Sequence, residues 1–444
     1  MCRWIALTSA IVWGFLGLGN GLVLPPGAVA AIEPGWVVDI AFSLRGDRIA
    51  LALREEIEIR STEDLHLIAS ISLPEGDRVY SLAFLDAAHL AVGCGGGKVL
   101  VLDLDSCAIT GKANPYTGRI WDMAVDPRGR YLAVATGDGD IALLSLPDLS
   151  ESFSTTIPGE GFYALAFSPD GGTLAAAGKS GVITLFRVPG GEPAGALHGH
   201  DAAVWGLEFL SEERLVSAGS DGRAVIWDLV SGSPARVISP GAERVRKAKV
   251  RPGGELIALA TSEAEVVLWS EGEKAFIGRL IGHKASLWTL SFSPDGKRLA
   301  TTSTRGRLIL WDVAELLALR PRIAEVHYSK RMGRVQYIAV SYVDPNGDAS
   351  RALIDLVEGD LSSVFVSSFS VGLKTRPSKT GYAPLSPRTL PAEFLIQGHR
   401  GKEEGSFTFG LRVDKPQRLV LKIVVADALG LASEARLIEI EAAS

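Results

Sequence analysis

One apolar anchor recurs along much of the chain, at Phe42, Phe84, Val125, Phe167, Phe209, Val250 and Phe292, with intervals of 42, 41, 42, 42, 41 and 42 residues. Each anchor closes a short apolar run and leads through a polar turn into a second one. A period held to one residue over six intervals means seven copies of one unit, and such units bury their apolar faces only by stacking on each other. Each copy reads as four short strands. Around Phe209 they are Val204 to Phe209, Arg214 to Ala218, Ala224 to Trp227 and Ala235 to Ile238, parted by Glu212-Glu213, Ser220-Asp221-Gly222 and Ser231-Gly232-Ser233-Pro234. The tetrapeptide Ser-Pro-Asp-Gly at Ser168 to Gly171 and Ser293 to Gly296 marks hairpin corners, because Pro sets φ at the second turn position and Gly accepts positive φ.

Composition agrees with an all-β chain. The 444 residues are 47% hydrophobic and 22% charged, which excludes a wholly disordered polymer. With 49 Gly and 22 Pro but 3 Cys, 3 Met and 7 His, turns are abundant and metal-binding side chains are scarce. A formal charge of −6 argues against a nucleic-acid partner, which requires phosphate neutralisation. No spacing of His, Cys or carboxylates forms a metal set, no cofactor is implied, and the sequence holds no nucleophile motif or phosphate loop. The expectation is a protein that is not an enzyme.

The fifth unit begins after Gly199-His200 and ends its third strand with Trp227-Asp228; the seventh begins after Gly282-His283 and ends with Trp311-Asp312. In these pairs the sequence resembles the WD-repeat family, which folds as a β-propeller and for which seven units close a ring. The resemblance covers roughly Trp36 to Arg320. It implies that His200, Ser217, Asp221 and Trp227 form a structural hydrogen-bonded tetrad. In the seventh unit His283, Thr301 and Trp311 match, but Arg305 stands where the Asp belongs. The sixth keeps Trp269 without the Gly-His pair, and Leu102, Leu144 and Phe186 replace the Trp elsewhere. A His bonded to an Asp and a hydroxyl outlines a catalytic triad. Its recurrence at repeat spacing assigns it instead to structure.

In Val204-Trp205-Gly206-Leu207-Glu208-Phe209 the apolar spacing of three and then two breaks strand alternation and predicts a β-bulge at Trp205-Gly206. The equivalent positions are Val38, Tyr80, Trp121, Tyr163, Trp205, Arg246 and Trp288. Aromatics and Arg dominate binding hot spots. The resemblance places this bulge on the top face of the ring, so Tyr80, Trp121, Tyr163, Trp205, Arg246 and Trp288 are the candidate partner-binding residues. The plainer reading is that these rings fill the taper between inner strands.

Arg3, an apolar stretch from Trp4 to Leu18, and Ala28-Val29-Ala30 form a signal-peptide pattern over 1–30, with cleavage after Ala30; a retained signal anchor is the alternative. Either places the protein outside the cytoplasm, periplasmic or extracellular, and no later segment is apolar enough to span a bilayer. Cleavage leaves too little chain before Trp36 for a full outer strand, so the last blade is expected to be completed within Ala314 to Arg320. Cys94 and Cys107 read as two unpaired, buried thiols. The propeller is expected over 36–321. The remainder, 323–444, carries strands at Val335 to Tyr342, Ala352 to Leu356, Ser363 to Ser370, Ser406 to Val413, Leu419 to Val425 and Ala435 to Ile440, and loosely resembles Ig-like sandwiches of exported bacterial proteins. Asp344, Asn346, Asp348 and Asp355 mimic a calcium loop but lack its Gly and Glu, and read as a solvated turn; Lys374, Arg376, Lys379, Arg388, Arg400 and Lys402 read as a solvated basic loop.

Two functions follow. One is a non-catalytic scaffold gripping a protein or peptide on the top face; the other is an enzyme or a small-ligand or glycan sensor using the central channel. Several inward carboxylates would favour the second, and an aromatic rim the first.

Overall fold

The computed structural model describes residues 3–4, 24–114 and 116–320, together with the C-terminal stretches 322–328, 335–343, 349–358, 364–372, 384–389, 392–395, 404–413, 417–427, 432–433 and 436–442. Beyond Trp4, which with Arg3 forms a short strand on Leu67–Ser72, the apolar stretch of the leader lies outside the described residues, as do the calcium-like turn at 344–348 and most of the basic loop. The chain separates into two compact units, Met1–Glu271 with Ile281–Val313, and Gly272–Leu280 with Ala314–Ser444.

Seven antiparallel sheets follow one another along the repeats. Their innermost strands, Val37–Phe42, Val79–Phe84, Ile120–Val125, Phe162–Phe167, Val204–Ser211, Val245–Val250 and Leu287–Phe292, each touch the next, and the last touches the first, which closes the ring. The third strand of the first sheet, Glu56–Ser61, alternates, but in most sheets the second and third strands read as apolar runs because neighbouring sheets cover both faces. Thus Leu132, Ala133, Val134 and Ala135 are all fully buried, as are Ile141, Ala142 and Leu143 on the strand beside them. Outer strands such as Ala108–Ala113 stay largely exposed. The Ser-Pro-Asp-Gly corners behave as their chemistry requires. Ser168 Oγ accepts from the Thr173 amide at 2.9 Å, and Gly171 takes φ +68°.

The seventh sheet departs from expectation. Its outer strand is Ala28–Ile32, paired with Leu308–Asp312 through Ala28↔Trp311, Ala30↔Leu310 and Ile32↔Leu308. Residues 314–320 do not complete it, since Val313–Ala318 is a helix. The strand is favoured because Ala30 and Ile32 pack on a core of Val37, Ile49, Leu51 and Leu308, and because Asp312 donates its amide to the Gly27 carbonyl at 2.9 Å. The cysteines also differ from expectation. Cys94 is free and buried, its thiol pushed up to about 12 by burial and by nearby Asp77. Cys107 is disulfide-bonded, its partner lying outside the described residues.

The second unit contains two antiparallel sheets, of five and four strands. The six expected strands are present as Val335–Val343, Ala349–Glu358, Val364–Gly372, Glu404–Val413, Gln417–Asp427 and Arg436–Ala442, with Arg322–Tyr328, Pro384–Thr389 and Ala392–Leu395 in addition. Alternate residues of two adjacent strands, Ile338, Val340 and Tyr342 on one and Phe407, Phe409 and Leu411 on the other, are buried, the period-2 signature of a sheet with one core face.

Candidate functional site

Each innermost strand carries a register shift after its first paired residue, and in all seven the skipped residue is the one expected: Val38, Tyr80, Trp121, Tyr163, Trp205, Arg246 and Trp288; the fifth strand has a second shift at Leu210. The extra residue turns its side chain out of the strand's alternation, so side chains far apart in sequence converge around one small crevice of about 40 Å³. Tyr163 stacks on Trp205 with centroids 4.3 Å apart. Trp121 meets Tyr80, Tyr163 and Trp205 edge-on at 5.7, 5.8 and 5.9 Å. All six are half-buried, each with one side against the ring and another open. The first sheet has Val38 at the bulge, and Trp36 two residues upstream supplies the aromatic there, 45% exposed and edge-on to Trp288 at 6.0 Å. Sequence reasoning missed Trp36 because it sits before the strand.

Cations lie on this aromatic patch. The Arg246 guanidinium lies 4.9 Å from the Trp288 centroid, and Arg119 lies 4.4 and 4.8 Å from those of Tyr80 and Trp121. Trp205 donates to Ser220 Oγ at 2.9 Å and Trp288 to the Val38 carbonyl at 2.7 Å, which fixes both indoles.

Beside the aromatics, the same strands line a cavity of about 290 Å³ with Asp39, Asp122, Glu208, Lys247 and Lys249. Sequence reading did not single these out, although the signal was present: they occupy the position after each bulge and the one two residues further. The carboxylates brace neighbouring sheets. Asp39 accepts the Leu82 amide at 2.9 Å, Asp122 accepts the Leu165 amide at 2.9 Å, and Lys249 bonds Glu208 at 2.6 Å. Burial raises Asp39 to about 6, despite Lys247 nearby; Asp122 adds to the rise. Glu208 holds the Lys249 ammonium up against the cost of its burial. Among the described residues no group of three or more His, Cys, Asp or Glu is arranged to hold a metal ion.

The tetrad residues are joined as the resemblance implied. Trp227 Nε1 donates to Ser217 Oγ at 2.8 Å, Ser217 lies 2.7 Å from His200 Nε2, and His200 Nδ1 lies 2.8 Å from Asp221. In the seventh sheet Trp311 and His283 both meet Thr301, at 2.9 and 2.7 Å, but His283 Nδ1 has no partner among the described residues. Burial lowers both histidines, His283 to about 3 with Arg307 adding to the effect. Burial thus disfavours the imidazolium at both positions.

The model of the WD domain, G-beta repeat, matches residues 152–187, 191–228 and 274–312. The chain is 26% identical over 246 residues to the periodic tryptophan protein 2 homolog of Dictyostelium discoideum, covering 54% of this chain and 27% of that one. It is 23% identical over 231 residues to guanine nucleotide-binding protein subunit beta-1 of Nicotiana tabacum, covering 48% and 59%. It thus spans about a quarter to three-fifths of the curated relatives named. A chain in the crystal structure of the mitotic checkpoint complex superposes with TM-score 0.60 at 19% identity, over 70% of this chain and 98% of that one, a likeness of fold. Among the described residues no helix is long and apolar enough to cross a membrane. Repeat matches, relatives and ring geometry agree: the chain carries WD40 repeats, has WD-repeat homologues and folds its repeats as a β-propeller.

Proposed function

We propose that the protein is an exported, non-catalytic interaction scaffold that docks a protein or peptide on the patch formed by Tyr80, Trp121, Tyr163, Trp205, Arg246 and Trp288. The observation that carries this reading is the convergence of six bulge side chains from six separate sheets, five of them aromatic and all half-open. Large rigid rings on a fixed scaffold bury area at little entropic cost, which suits an interface. WD40 proteins bind protein partners, in keeping with this use. Export rests on the leader-like sequence, and the Ig-like character of the C-terminal unit on its strand pattern. Because Ala28–Ile32 pairs in the seventh sheet and Arg3–Trp4 pairs with Leu67–Ser72 of the first, the fold favours a retained leader over cleavage after Ala30.

The test is crosslinking in intact cells with wild type and with Trp121→Ala, Trp205→Ala and Trp288→Ala. Each variant should weaken capture by about 1–3 kcal/mol, tenfold or more, beyond any loss of folded protein. If capture falls only in proportion to the folded fraction, the rings are packing filler. The channel supports a second reading, a site for a small ligand or a reaction, because three carboxylates face a polar cavity. The bonds that Asp39, Asp122 and Glu208 make to neighbouring strands weigh for bracing instead.

A further inference from the structure

The strand Val245–Val250 and the residue before it carry four cations, Arg244, Arg246, Lys247 and Lys249. Those facing the channel are matched, Lys249 by Glu208 at 2.6 Å and Lys247 by Asp122 at 3.8 Å. Arg246 is not. It makes no ion pair among the described residues, and its buried Nε has no hydrogen-bond partner there. Two other partly buried guanidiniums of the first unit do meet carboxylates, Arg60 with Glu58 at 2.7 Å and Arg298 with Asp312 at 2.5 Å. Burial and the neighbouring Arg244 both disfavour the Arg246 charge. A half-buried cation without a counter-ion is costly, and an incoming anion relieves that cost.

We propose that the aromatic patch captures its partner through an acidic side chain, whose carboxylate seats on the Arg246 guanidinium beside Trp288 while apolar neighbours lie on the rings. This rests on the reading of the patch as a docking surface. An aromatic cluster by itself would suit a cationic ligand. Here the cation positions are already filled from within, by Arg246 over Trp288 and Arg119 over Tyr80 and Trp121. A second ammonium or guanidinium would meet like charge, whereas a carboxylate completes a guanidinium–carboxylate pair. The crevice of about 40 Å³ beside Arg246, Trp205 and Tyr163 is sized for one such small group. Arg119 is exposed and makes no ion pair among the described residues, so the field over the patch favours an acidic approach.

The test uses the full chain and two displayed libraries of short random peptides, one permitting Asp and Glu and one excluding them. The acid-containing library should yield binders, and replacing the selected Asp or Glu by Asn or Gln should weaken binding to wild type by about tenfold or more. Arg246→Gln should cause a similar loss with an unchanged melt; the peptide-side substitution decides the matter even if that variant folds poorly. Peptides that bind equally without acids, or that are enriched in Lys and Arg, yet are lost with Trp121→Ala or Trp288→Ala, would overturn the carboxylate and leave the docking patch standing. Peptides indifferent to every change on the patch would overturn both.

Discussion

His200 and His283 occupy equivalent places and differ by one partner. In the fifth sheet the hydrogen-bond chain runs from the Trp227 indole through Ser217 to His200 and ends on Asp221; in the seventh it runs from Trp311 through Thr301 and stops at His283 Nδ1. Trp227 is fully buried. Trp227→Ala should therefore cost about 3–5 kcal/mol for the ring, more with the polar chain broken, seen as a large fall in Tm. An unchanged melt would refute the tetrad. Arg305→Asp should do the reverse, giving His283 Nδ1–H an acceptor and raising stability by about 1 kcal/mol in a denaturant titration near neutral pH. Because the folded His283 pKa lies near 3, below the ordinary 6.5, the stability from keeping it neutral is present above 6.5 and drains as pH falls towards 3. The gain from Arg305→Asp should widen at about pH 5, where an imidazolium would find a carboxylate. A margin that shrinks there would contradict this. The missing Asp was legible in the sequence because tetrad spacing is local to one repeat; that Nδ1 has no partner among the described residues needed the fold, since a distant carboxylate could have reached it.

At the scale of elements, sequence repeat and sheet are out of phase by one strand. The matched segment 191–228 takes in the outer strand of the fourth sheet, Pro193–Leu197, and then the three inner strands of the fifth. An array so staggered leaves its last sheet one strand short, and a strand from the start of the chain fills the gap. Ala28–Ile32 does so. A chain beginning at Ala31 should melt several degrees below one beginning at Leu24, with faster deuterium uptake along Leu308–Asp312, because Ala28 and Ala30 no longer cover that edge. Equal melts and equal uptake would show that closure does not depend on this strand. The bulges were readable from a break in alternation within six residues. The closing strand was not, because its composition also satisfies a cleavage signal and local pattern cannot choose between the two.

At the scale of the whole molecule, the ring gathers charges that no local pattern relates. Asp39, Asp122 and Glu208 come from the first, third and fifth sheets, Lys247 and Lys249 from the sixth. Asp39 bears the sharpest consequence. With its folded pKa near 6 and its ordinary value 3.8, the ionised carboxylate opposes folding above about 6, and the penalty fades below about 4 as both states bind the proton. Asp39→Asn keeps an oxygen for the Leu82 amide and removes the charge. It should raise Tm at about pH 8, with the difference from wild type vanishing at about pH 4. A fall in Tm at pH 8 would mean that the charge itself braces the ring through Lys247.

The sequence by itself determined the all-β class, the seven units, the bulge positions, the tetrad and its gap, since each is written in periodicity and spacing within one repeat. Tertiary structure alone decided that Ala28–Ile32 closes the ring, that Trp36 joins the aromatic patch, that Arg246 has no counter-ion among the described residues and that five charges share one channel. The reason is physical. Strand period and turn chemistry act over a few residues, whereas the pairing of an outer strand, the neutralisation of a charge and the depth of its burial depend on groups that only closure of the ring brings together.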